Sequence, residues 1–221
     1  MALVTTKRKF REVSTVTVLV GPTKSPFYVH HTILCDSSHF FKNAFESSSE
    51  TQTQEIALPE VDTNIFETFV GWLYSRNFGI SVPDEAENKH QWERPSIIDF
   101  FFFADKYGIA GLKACIMDKL FNIASIKGLA GFTARMLPKT WEFTTEEAGI
   151  RRLFVDWMVF QCEFKASPQQ PITKTWLFEQ PAEFNAALII RFAERVKEHY
   201  QRNPFRSGSA EHYYDVSPEG K

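Results

Sequence analysis

Cysteine is scarce: the chain of 221 residues holds three, Cys35, Cys115 and Cys162, odd in number and far apart. They form no CxxC pair and no disulfide framework, which points to a reducing, intracellular setting, cytoplasmic or nuclear. Missing too is any uncharged apolar run of about 18 residues, the least that a membrane span requires. The opening "MALVTTKRKF" has too few apolar residues before its charges to make a signal-peptide core. No membrane partner is expected. Charge is balanced as well, with 25 Lys and Arg against 27 Asp and Glu, so nothing electrostatic argues for a nucleic-acid partner. The basic run Lys7-Arg8-Lys9 with Arg11 reads as solvated tail. The ten glycines are scattered and build no P-loop, no GxGxxG turn and no GxSxG elbow. No cofactor is expected.

Phenylalanine is what the chain has in quantity: 22 residues, within a composition that is 43% hydrophobic, enough for a substantial core. "STVTVLVG" (Ser14–Gly21) is β-branched and ends at the breaker pair Gly21-Pro22, and "FYVH" (Phe27–His30) follows as its hairpin partner. The period then changes. Asp36 or Ser37 can cap a helix with Phe40, Phe41, Ala44 and Phe45 on one stripe. "SSSETQTQ" is polar loop, and "EIALPEV" (Glu55–Val61) is a third, isolated strand.

Helices follow. One is capped within Asp62–Asn64 and turns Ile65, Phe66, Phe69, Val70, Trp72 and Leu73 inward. After a polar loop over Gly79–Arg94, Ser96 and Asp99 form a capping-box pattern before "FFFFA", a helix apolar nearly all round. The next carries Leu112, Cys115, Ile116, Leu120 and Ile123 at helical spacing. Further on, "GLAGFTARML" is a helix stopped by Pro138. Thr144 with Glu147 is a second capping-box pattern, opening a helix with Ile150, Leu153, Phe154 and Trp157 inward. Pro181 opens a long amphipathic helix through Phe184, Leu188, Phe192 and Val196. Strands early and helices late make an α+β cluster with a helical extension. The expected divisions are a tail over 1–13, a domain over 14–125, the extension over 126–202, and a Ser/Gly/Pro-rich disordered tail over 203–221.

The histidine-rich stretch "VHHTILCDSSHFFKNAF" (Val29–Phe45) raises a question of chemistry. His30, His31, Cys35 and His39 look like metal ligands, but neighbours on a strand face opposite ways, so His30 and His31 cannot share an ion. No metal site is expected. Cys35 and His31 would pair as nucleophile and base only on a helix, and no partner for an oxyanion stands near. Cys35 is read as a small buried hydrophobe and the chain as a non-enzyme. "RRLFVDWMVF" interleaves bases with aromatics, yet its spacing separates the apolar face from the charges, which describes a core helix.

Five segments in this order resemble the BTB/POZ family. They are the Val-rich strand with Phe27-Tyr28-Val29-His30-His31-Thr32-Ile33-Leu34, then Ser37-Ser38-His39-Phe40-Phe41, Ile56–Asp62, Phe66–Tyr74, and Ala104–Cys115. The resemblance spans about Thr15 to Ile123. It implies a small three-stranded sheet flanked by a helical cluster, and an interaction module with protein partners, through self-association, recruitment of regulators, or adaptor service on a cullin ubiquitin ligase. It also implies that His30 is a buried, hydrogen-bonded residue, that Ile33, Leu34 and Cys35 turn into the core, and that Phe40, Phe41 and Phe45 pack beneath the following helices. "GIRRLFVDWMVF" resembles the helical extension of fungal BTB-only proteins.

Carried onto this chain, the family's geometry puts Thr15, His30 and His31 at a homodimer seam. Phe78, Val82 and Ile97 fall near a variable contact loop. Members with the swapped homodimer place an aspartate and a Lys or Arg where Thr15 and His31 stand. Cullin-binding members carry a hydrophobic-x-acid triplet where this chain has Ser96-Ile97-Ile98, with Asp99 one place late.

Overall fold

Alternation along the first strand decides which way the sheet faces. In the computed structural model, β1 (Thr15–Val20) buries Val16, Val18 and Val20 and turns Thr15, Thr17 and Leu19 outward. The structure describes residues 14–46, 54–77, 96–126, 130–164 and 179–198. β2 (Ser25–His30) pairs antiparallel with β1, from Thr15 opposite His30 to Val20 opposite Ser25. Their turn uses positive φ at Gly21 (75°) and Lys24 (54°), the left-handed conformation for which glycine carries no Cβ penalty. Pro26 fits because β2 is an edge strand.

β3 (Glu55–Leu58) is not isolated as the sequence suggested. It lies parallel to β1, with Thr17 opposite Glu55 and Val20 opposite Leu58, giving the order β2-β1-β3. Parallel pairing needs a long crossover, which no local pattern reveals. That crossover holds α1 (His31–Ser37) and α2 (His39–Glu46). The first begins directly after β2. The second is capped by neither Asp36 nor Ser37. Ser38 accepts a hydrogen bond from the Phe41 amide at 3.2 Å and donates to the Tyr107 carbonyl at 2.5 Å.

α3 (Thr63–Ser75) starts on Asp62, whose carboxylate accepts from the Asn64 amide at 2.7 Å, and buries Phe66, Phe69, Trp72 and Leu73. α4 (Ile97–Lys106) opens on the expected capping box, with Ser96 and Asp99 satisfying each other's backbone amides. It is buried on most sides, as its all-round apolar sequence requires. The rings meet in one cluster. Phe41 stacks on Phe69 at 6.2 Å and on Tyr107 at 5.8 Å, and Phe103 joins Phe69 at 5.2 Å and Tyr107 at 4.9 Å. Not every expected ring is inside. Phe41 is fully buried, but Phe40 is 40% exposed and Phe45 half-buried. Leu34 is buried while Ile33 and Cys35 are only partly covered, because a single turn of α1 can present just one face to the core.

The chain divides into two compact units that part within α5 (Ala110–Ile126), between Lys113 and Ala114. The later unit holds α6 (Ala130–Phe143), α7 (Gly149–Phe164) and α8 (Ala182–Glu198). Pro138 does not stop α6. The helix runs through it to Phe143, and Leu137, Thr140 and Trp141 on either side are buried, so packing outweighs the lost backbone bond. Thr144 and Glu147 form no capping box. Thr144 instead donates to the Thr140 carbonyl at 2.5 Å and accepts from Arg151 Nε at 2.9 Å, and α7 begins at Gly149. Its expected inward set, Ile150, Leu153, Phe154 and Trp157, is buried. In α8, Phe184 and Leu188 are buried, Phe192 is half-covered, and the Val196 side chain lies outside the described residues. Asp156 of α7 grips Arg191 of α8 at 2.5 Å.

Candidate protein-interaction surface

The two adjacent histidines leave the hairpin in different company. His30 ends β2, opposite Thr15, and its Nδ1 lies 2.6 Å from the hydroxyl of Tyr74, near the end of α3. Its backbone amide donates to the same hydroxyl at 3.2 Å. The histidine is hydrogen-bonded as expected but half-buried rather than buried, because Tyr74 is itself 47% exposed.

His31 is not on the strand. It opens α1, its amide donates to the Ser14 carbonyl at 2.9 Å, and its ring meets Phe45 edge-on at 5.8 Å. One turn later Cys35 Sγ lies 3.5 Å from His31 Nε2, so the helical pairing does form. The histidines part because the backbone changes from extended to helical between them. Among the described residues no group of three or more His, Cys, Asp or Glu side chains could hold a metal ion.

Around Thr15 and His30 the described surface is aromatic and exposed. Tyr28, on the same side of β2 as His30, is 70% exposed and stands opposite Thr17, while Thr15 is exposed at the start of β1. Sequence reading gave Tyr28 and Tyr74 no role of their own. The signal for Tyr28 was present in the alternation of "FYVH"; the link from His30 to Tyr74 spans 44 residues and was not.

The other expected contact positions are placed differently. Ile97 is the first residue of α4 and is 3% exposed, so its side chain belongs to the interior. Phe78 and Val82 lie outside the described residues. On the far side of the ring cluster, Tyr107 donates to Glu60 at 2.9 Å, and Lys106 reaches the same carboxylate oxygen at 3.0 Å. The hydrogen bond from Lys106, with those from the backbone and Tyr107, holds Glu60 below the usual carboxylate range. Burial first, then the neighbouring Glu60, pushes the Tyr107 hydroxyl up.

The family model for the BTB/POZ domain matches residues 5–121, just over half of the chain. The chain belongs to the BTB/POZ family. No curated protein matches the sequence significantly. BTB/POZ domains are in general protein-interaction modules rather than enzymes, and the small sheet with its helical cluster is that fold. Within this BTB/POZ domain the five sequence segments fall on β1–β2–α1, α2, β3, α3, and α4–α5. Asp99, the acid standing one place beyond the cullin-type triplet, accepts from the Ser96 amide at 2.8 Å and hydroxyl at 2.7 Å. Its carboxylate is committed to the cap. No described helix is long and apolar enough to cross a membrane.

Proposed function

We propose that this BTB/POZ protein is a non-enzymatic scaffold that self-associates through the seam at Thr15, His30 and His31. Residues 14–125 are then the interaction domain and 126–202 a helical extension. One observation carries this proposal. A half-buried histidine, locked to Tyr74, stands beside exposed Tyr28 at the edge of the sheet. Tyrosine is enriched at protein contacts because it brings apolar area and a polar tip at little entropic cost. The positions that would hold paired charges in the swapped homodimer are Thr15 and His31, so a seam on this surface is carried by aromatic and hydroxyl contacts.

Light scattering of the purified chain at concentrations on the order of micromolar, the range of weak specific complexes, tests this. A dimer is expected, and Tyr28→Asp should shift it toward monomer with an unchanged far-ultraviolet circular dichroism spectrum. A monomeric wild type that also captures no protein partner would sink the reading. Saturable binding of a cullin N-terminal domain in a calorimetric titration would instead favour the adaptor reading.

A further inference from the structure

Beyond the seam, the later unit contains a cleft of about 360 Å³ lined by Pro138, Trp141 and Glu142 of α6, Arg151 of α7, and Pro181 and Glu183 at the start of α8. That volume sits at the low end of the range for small-ligand pockets, roughly 300–1,000 Å³. Half of its lining residues are apolar, two proline rings beside an indole that packs edge-on against Phe184 at 5.1 Å, and the other half are charged.

Its charges are unequal in their commitments. Arg151 donates through Nε to the Thr144 hydroxyl at 2.9 Å and through a terminal nitrogen to the Trp141 carbonyl at 2.6 Å and to the Thr144 carbonyl. Its guanidinium also lies over the Trp141 ring, 5.1 Å from the centroid. These carbonyls close the end of α6, where the helix dipole is negative and already answers a cation. Glu142 and Glu183 are exposed and make no hydrogen bond or ion pair among the described residues. The cleft therefore offers apolar rings and two uncommitted carboxylates, while its own cation is turned to the backbone.

We propose that this cleft binds a lysine or arginine side chain presented by a protein partner, its methylene stem against Pro138 and Pro181 and its charge at Glu142 and Glu183. Basic side chains suit such a surface because their stems are apolar and only their tips carry charge. The proposal rests on the partner-recruiting reading of the chain and supplies a second contact, separate from the seam.

The test uses the full chain and a short glycine-serine peptide with one central lysine, titrated while the Trp141 indole signal is followed by nuclear magnetic resonance, assigned through Trp141→Phe. The lysine peptide should shift that signal saturably, and a norleucine or glutamate peptide should bind roughly tenfold more weakly, the worth of two solvent-exposed ion pairs. Glu142→Gln with Glu183→Gln should weaken the lysine peptide by the same factor, and Glu146→Gln should not. Equal binding of the lysine and norleucine peptides would overturn the proposal, as would preference for glutamate or no shift with any peptide. Light scattering of the same samples keeps the two claims apart. A dimer that ignores every peptide retains the seam and loses the cleft.

Discussion

Ser38 does more for the fold than its neighbours Asp36 and Ser37, though all three are of a type that caps helices. It is buried, caps α2 through the Phe41 amide, and ties that helix to the Tyr107 carbonyl. Ser38→Ala should cost about 1–3 kcal/mol, since it removes a cap and leaves buried backbone groups without their partner; urea denaturation would read the loss. Glu60 gives a pH-dependent counterpart. Its folded carboxyl titrates below the ordinary 4.5. Its contribution to stability is therefore present above that pH and is lost as pH falls through the lower folded value. The difference in melting temperature between wild type and Glu60→Gln should accordingly shrink on acidification below that point, and a difference constant with pH would contradict it. At this scale the sequence showed residue types but not partners. It offered Asp36 or Ser37 as the cap, and could not show that Ser38 would find a carbonyl 69 residues away.

Among elements, legibility followed burial. The helix from Ile97 was readable in full because both its cap and its all-round apolar surface are local, and Asp62 and the Ser96–Asp99 box stand where the sequence put them. The failures share a cause. Pro138 reads as a stop, yet α6 continues because Trp141 and Thr140 beyond it are held in the interior. Thr144 reads as a cap, yet Arg151 takes its hydroxyl. β3 reads as isolated because its partner β1 lies across two helices. In each case packing or a hydrogen bond outside the local pattern outweighed a local preference. The same logic makes a prediction for α7 and α8. Asp156 is buried and bonded to Arg191, whose own burial would lower its pKa but whose bond to Asp156 holds it above the ordinary value. Asp156→Ala should destabilise the chain by about 1.5–3 kcal/mol, the range for hydrogen bonds to charged groups, and chemical denaturation followed by circular dichroism measures it.

For the molecule as a whole, the candidate surfaces were unequally visible beforehand. Thr15, His30 and His31 were singled out through the family pattern, and Thr15 and His30 lie on the side of the sheet that carries exposed Tyr28. The pairing of His30 with Tyr74 and the proline-walled cleft of the later helices carried no such signal, since each is assembled from residues that only folding brings together.

The parallel seating of β3 on β1 also governs the order of events during synthesis. The hairpin is complete once His30 has emerged, while Glu55–Leu58 must still be made. Until they arrive, the flank of β1 shows bare amides and carbonyls to the crowded space outside the ribosome, an invitation to strands from other chains. A newborn copy meeting a sibling at that moment could borrow the missing strand and end as an exchanged pair.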